Sequence, residues 1–225
     1  MSRVQRREYP LPFRLEDLQT VEHLDLWLAR FADRSAHEAA EINRDLATAD
    51  PDNAQARANF AESLTTLADL LNKTGDPGGA LEQYRQANAI LEKLSAAAPG
   101  NLFMRGQLAD SLVATGALLP QLGRVADART LTTRGVAIAR ELASLPAATP
   151  DELNRYAQIL LTCQLAELRD LASALRIAEQ AVAKSGGRDP KSLHVLAEAY
   201  RLNGNPAGAA ETERLALSLS PSPLP

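Results

Sequence analysis

Shifting the sequence by 48 residues lays it on itself: Pro51 falls on Pro99, Asn53 on Asn101, Arg57 on Arg105, Ala61 on Ala109 and Ser63 on Ser111. The match continues through Leu64 and Leu112, Leu70-Leu71 and Leu118-Leu119, Gly75 and Gly123, Ala80 and Ala128, Ile90 and Ile138, and Leu94 and Leu142. The kept positions are small or apolar, those that stacked helices need in order to approach closely. A unit of this size cannot bury its apolar face alone, so successive units must stack into one continuous core.

Each unit reads as two helices. Phe60, Leu64, Leu67, Leu70 and Leu71 recur at three- and four-residue steps, which gathers them on one helical face, and Ala80, Leu81, Tyr84, Ala87, Leu91 and Leu94 do the same in the next segment. Asp76-Pro77, Asp189-Pro190 and Asn205-Pro206 place a polar cap before a proline at the first helical position, where the missing N–H costs nothing. Thr149-Pro150-Asp151-Glu152 is a capping box, and Asn53 and Asn101 are further caps. The spacing predicts hairpins Arg14–Asp33 with Ala36–Thr48, Ala54–Thr74 with Pro77–Ala97, Leu102–Leu122 with Val125–Leu145, Pro150–Leu168 with Leu171–Lys184, and Pro190–Leu202 with Pro206–Leu219. Pro120 should kink or end the helix that contains it. No strand pattern is present. The expected organisation is a tail over 1–13, a helical-repeat domain over 14–219 and a disordered Pro-rich tail over 220–225.

The last hairpin resembles a tetratricopeptide (TPR) repeat through Leu196-Ala197-Glu198-Ala199-Tyr200, Gly204, Ala209, Ala216 and Pro221. Ala68, Gly75, Ala80 and Ala87 fill the corresponding places in the second hairpin, and Gly116, Gly123, Ala128 and Gly135 in the third. The fourth, with Thr162, Arg169, Ala174 and Ala181, and the first, with Ala39 and Pro51, follow the pattern more loosely. The units exceed the family's usual ~34 residues. The long form, above all Leu160-Leu161-Thr162-Cys163, Leu168-Arg169-Asp170 and Gly186-Gly187-Arg188-Asp189-Pro190, is similar to the repeat region C-terminal to the catalytic domain of some bacterial serine/threonine protein kinases. The resemblance implies an all-α, right-handed α-solenoid of about five antiparallel hairpins, working as a non-catalytic scaffold that binds a peptide or protein segment in its concave groove. The alternative it implies is a ligand-sensing or regulatory module of a larger, kinase-linked signalling system. No kinase chemistry is present: the Gly-rich phosphate loop, the His-Arg-Asp loop and Asp-Phe-Gly are all missing.

The residues between the repeats offer little chemistry. The net charge of -4 argues against a nucleic-acid partner, which calls for a basic surface. No apolar run is long enough to span a membrane, and Arg3, Arg6 and Arg7 precede no apolar segment of a secretory signal. Cys163 is the single cysteine, so no intramolecular disulfide forms, which fits a reducing, cytoplasmic setting. His37-Glu38-Ala39-Ala40-Glu41 puts Glu41 where a zincin helix needs its second His, so it reads as an exposed polar face. Trp27 among Leu24, Leu28 and Phe31 reads as core, and Cys163 as a packed residue within a helix. No metal site or cofactor motif can be assembled, and no enzymatic activity is expected.

The resemblance also implies which residues face the groove: the second, fifth, ninth and twelfth positions of each first helix. These are Glu62, Thr65, Asp69 and Asn72; Asp110, Val113, Ala117 and Pro120; Tyr156, Ile159, Cys163 and Ala166; and Lys191, His194, Glu198 and Arg201. Tyr156 is the expected anchor, with packing of Tyr156 and Ile159 between hairpins as the alternative. His194 and Glu198, one turn apart, are placed to pair or to reach a ligand. Some family members clamp acidic C-terminal tails with Lys or Arg and Asn; here those places hold Thr65, Asp69, Ala114, Tyr156 and Leu160, so an acidic tail should be ignored. Leu215, Leu217 and Leu219 close the last hairpin, so a homodimer through that hairpin, or a docking site there for another domain, is a further expectation.

Overall fold

The computed structural model describes residues 21–219, with side chains from Arg34 onwards. Every regular element among them is helical: α1 (Val21–Ala49), α2 (Ala54–Lys73), α3 (Pro77–Ala97), α4 (Leu102–Leu118), α5 (Val125–Ala143), α6 (Pro150–Thr162), α7 (Leu171–Lys184), α8 (Pro190–Leu202) and α9 (Pro206–Leu219), with 3-10 turns at Leu119–Leu122 and Ala166–Leu168. Helices α2 and α3, α4 and α5, α6 and α7, and α8 and α9 form hairpins, α1 lies against α2, and each hairpin packs on the next. The architecture is an all-α solenoid.

The caps act where the sequence places them. Asn53 accepts the N–H of Ala56, Asn101 that of Met104, Asp76 that of Gly79 and Asn205 that of Gly208, at 2.8–3.1 Å. Glu152 completes the capping box by accepting the Thr149 N–H at 2.7 Å. Helices α2 and α4 hand over to their partners through Gly75 (φ 90°) and Gly123 (φ 72°), left-handed positions that a side chain would strain. The next residue folds back in each case: Asp76 N–H donates to Leu71 C=O at 2.8 Å and Arg124 N–H to Leu119 C=O at 3.0 Å.

Two expectations need correction. No break separates Asp33 from Ala36: α1 runs unbroken from Val21 to Ala49, so four hairpins follow one long helix among the described residues. Arg34-Ser35 contains neither Gly nor Pro, and nothing local stops the helix there. Helix α6 ends at Thr162 rather than Leu168, which makes Cys163 an extended C-cap (φ −55°, ψ 126°) instead of a mid-helix residue. Beyond that end Arg169 Nε donates to Cys163 C=O at 2.8 Å within the loop, the exposed Arg129–Glu167 pair at 2.8 Å joins the loop to α5, and Leu168 packs on the cluster shared by α4, α5 and α6. As Pro120 leads one to expect, helix α4 stops at Leu118 and tightens into a 3-10 turn over Leu119–Leu122, since the proline lacks the N–H to continue it. The tails over 1–13 and 220–225 lie outside the described residues, as do the side chains of Trp27 and its neighbours.

The core is a chain of small clusters, as stacking requires. Ala61, Leu64, Ala87, Leu91, Leu108 and Leu112 join α2, α3 and α4. Ala109, Val136, Ala139 and Ile159 join α4, α5 and α6. Ala157, Leu160, Leu161, Ala174, Ala178, Val195, Leu196 and Ala199 join α6, α7 and α8. The alanines let backbones approach closely; at Gly135 even a methyl would stand 2.8 Å from the Ala109 carbonyl oxygen.

Candidate functional site

The first helices of successive hairpins touch one another, α2 to α4, α4 to α6 and α6 to α8, and so make one continuous row. Among the described residues, two cavities open where α2, α4 and α6 adjoin. The larger, about 380 Å³, lies between α4, α5 and the end of α6; Val113, Ala114, Gly116, Ala117, Ala128 and Ile159 give it apolar walls. The end of α6 and the chain that follows it, Thr162, Cys163, Gln164 and Leu165, form a further wall. The smaller, about 300 Å³, lies among α2, α3, α4 and α6 and is mixed, with Glu62, Thr65, Gln107 and Arg155 beside the apolar Leu91 and Phe103. Asp110 is a wall of both.

Arg155 Nε donates to Asp110 Oδ2 at 2.8 Å, with the guanidinium lying over Gly106, where a Cβ would meet Nη1 at 2.2 Å. Burial raises the Asp110 pKa above the ordinary carboxylate value, and the charges and hydrogen bond of Arg155, with a contribution from Lys191, only partly offset it. Its side chain is nevertheless 49% exposed, so solvent screens part of the cost.

The other sequence-predicted residues have separate environments. Asp69 accepts a hydrogen bond from the buried Tyr84 hydroxyl, whose pKa burial and Asp69 together push up. Asn72 accepts from Gln121 Nε2 at 3.2 Å. Lys191 pairs with Asp151 at 2.6 Å, and His194 Nδ1 meets Glu213 at 3.0 Å rather than the Glu198 one turn along its own helix. Arg201 is exposed and Glu198 half-buried. Tyr156 is half-buried, packs against the clusters on either side of α6, and accepts from Arg140 Nε at 3.0 Å; Ile159 and Cys163 are buried, and Ala166 stands exposed beyond the helix end.

On α6 the open stripe is therefore Asp151, Arg155, Gln158 and Thr162, offset by one residue from the positions the resemblance implied. The 48-residue shift carries Phe103, Gln107, Asp110 and Ala114 of α4 onto those four residues, so the signal was present in the sequence. Arg155 and Phe103 are the main residues that the family positions passed over.

Elsewhere, a cavity of about 300 Å³ opens between the second helices α3 and α5, over Leu112, Thr115 and Leu119, with Arg85, Glu92, Arg124 and Asp127 around it. Leu215, Leu217 and Leu219 of α9 are 46%, 62% and 39% exposed. Among the described residues no group of His, Cys, Asp and Glu is arranged to hold a metal, and no helix is long and apolar enough to cross a membrane.

No family model matches the chain, and no curated protein matches it significantly in sequence. Solved structures that resemble it include a kinesin light chain of nearly identical TPR-like repeats from Podosopora anserina, 21% identical over 85% of this chain and 91% of that one, with a TM-score of 0.42. They also include BtubC (BKLC) from P. vanneervenii, 18% identical over 88% and 95% of the two chains, with a TM-score of 0.34, and MamA, 14% identical over 80% and 85%, with a TM-score of 0.33. At overlaps this low the fold rests on the helix pairs and caps described above.

Proposed function

We propose that this chain is a non-catalytic interaction scaffold that holds a peptide or protein segment along its row of first helices. The observation that carries this reading is the pair of adjoining cavities that share Asp110, one apolar and one that sets charged groups beside apolar ones. An apolar recess beside ordered polar groups is the composition of a recognition groove, where burial supplies affinity and charge supplies selectivity. The residues proposed to meet the partner are Glu62, Thr65, Asp110, Val113, Arg155 and Thr162, with Lys191, His194 and Arg201 extending the row on α8. Partner capture by the immobilised chain tests this, using Thr162→Trp and Asp110→Lys beside Arg85→Glu on the opposite side. Loss confined to the first two variants is expected; equal capture by all three would remove the groove reading.

A ligand-sensing role within a larger signalling system is a second reading, favoured by the cavity between α3 and α5, which combines an apolar floor with charges of both signs. Small-molecule stabilisation abolished by Thr130→Trp would support it, and no stabilisation across a metabolite collection would count against it. Self-association through α9 belongs to the scaffold reading and is motivated by its three exposed leucines.

A further inference from the structure

We propose that the segment held along the first helices presents a bulky apolar side chain to the larger cavity and, nearby in the same segment, an arginine or lysine to Asp110 and Glu62. This rests on the groove reading above and specifies its partner. The larger cavity is floored by Ala114, Gly116 and Ala117 and closed at its side by Ile159. Small residues here leave volume that no side chain of this chain fills, and the apolar walls favour a hydrocarbon or aromatic group over a polar one.

The charge requirement follows from what is already paired. Around the smaller cavity stand two carboxylates, Glu62 and Asp110, and one guanidinium, Arg155, which is engaged with Asp110 at 2.8 Å. Lys191, the next cation along the row, is tied to Asp151 at 2.6 Å. The net local charge is negative, and the Asp110 side chain, 49% exposed, leaves its carboxylate open to a further cation. Phe103, 52% exposed at the same cavity, offers a ring face on which a guanidinium or ammonium is attracted. A carboxylate beside an aromatic face selects a basic group, Arg above Lys because its plane can stack and hydrogen-bond together. An acidic segment meets repulsion at the same place.

Selection from a random-peptide phage library on the purified full chain tests the proposal. Enriched peptides should pair Phe, Leu, Met or Trp with Arg or Lys a few residues away. A fluorescent consensus peptide should lose about tenfold or more in affinity, roughly 1.4 kcal/mol, for Thr162→Trp and for Ala117→Phe, which fill the cavity from α6 and α4. It should lose a similar factor for Asp110→Asn and when its own basic residue becomes Glu. Circular dichroism of each variant confirms an intact helical fold, and the two cavity-filling variants are independent of each other. Enriched peptides without a basic residue that are still blocked by Thr162→Trp would overturn this inference and leave the groove reading standing. No enrichment, or consensus binding indifferent to all three variants, would overturn both.

Discussion

Arg155 of α6 reaches across to Asp110 of α4 and holds it through Nε at 2.8 Å, so the ion pair that divides the two cavities also ties neighbouring hairpins together. Only 14% of the Arg155 side chain is exposed. Arg155→Ala removes its packing over Gly106 and leaves Asp110 uncompensated, and should cost about 1–3 kcal/mol in urea unfolding. Lys191→Ala, which breaks the far more exposed pair with Asp151, should cost less than about 1 kcal/mol. Equal losses would show that burial does not distinguish the two bridges.

Two glycine substitutions should act in opposite directions. At Gly135 a Cβ would stand 2.8 Å from both the Ala109 carbonyl oxygen and Val113 Cγ2, so α4 and α5 would have to separate. Gly135→Ala should lose about 1–3 kcal/mol despite the better helix propensity of Ala. At Gly78 the nearest atom is Asp76 Oδ1 at 3.6 Å, and Gly78→Ala should gain about 0.5 kcal/mol. Thermal unfolding of both variants would decide it, and a stabilised Gly135→Ala would contradict the close approach.

The cap carboxylates give a pH dependence with a defined sign. Hydrogen bonds from the Ser173 side chain and backbone lower the Asp170 pKa. At Asp189 burial pulls upward, but the bonds from Ser192 and Lys191 outweigh it and the pKa is again lowered. A lowered folded-state value means stability that is present above the ordinary carboxylate value of about 4 and lost as pH falls through the folded value. Asp170→Ala should therefore cost about 1 kcal/mol at neutral pH and clearly less near about pH 3. Asp170→Asn, which retains a capping oxygen, should keep most of the neutral-pH stability and lose that dependence. An unchanged cost for Asp170→Ala across the acid range would refute the linkage.

Self-association makes a separate claim on α9. With Leu215, Leu217 and Leu219 exposed, light scattering should give twice the chain mass of 24.2 kDa, and Leu217→Glu should return it to that mass without changing the helical spectrum. A monomer whose solubility is indifferent to Leu217→Glu would end the homodimer version of the scaffold.

Much of the fold was decided locally and was therefore legible. Caps such as Asn53, Asp76 and Asn101, prolines at first helical positions, and glycines at Gly75 and Gly123 act within one turn of the chain, so sequence spacing alone places α2 through α5 and α7 through α9 to within a few residues. The apolar steps likewise chose which faces are buried, because a helix fixes what lies three and four residues apart. Tertiary structure decided the rest. Nothing within Gln164–Arg169 forbids a helix; the chain leaves α6 after Thr162 with Cys163 buried and Leu168 packed on the cluster of α4, α5 and α6, contacts that exist only in the folded stack. The pairing of Arg155 with Asp110 joins residues 45 apart, a proximity that arises only when α6 stacks beside α4.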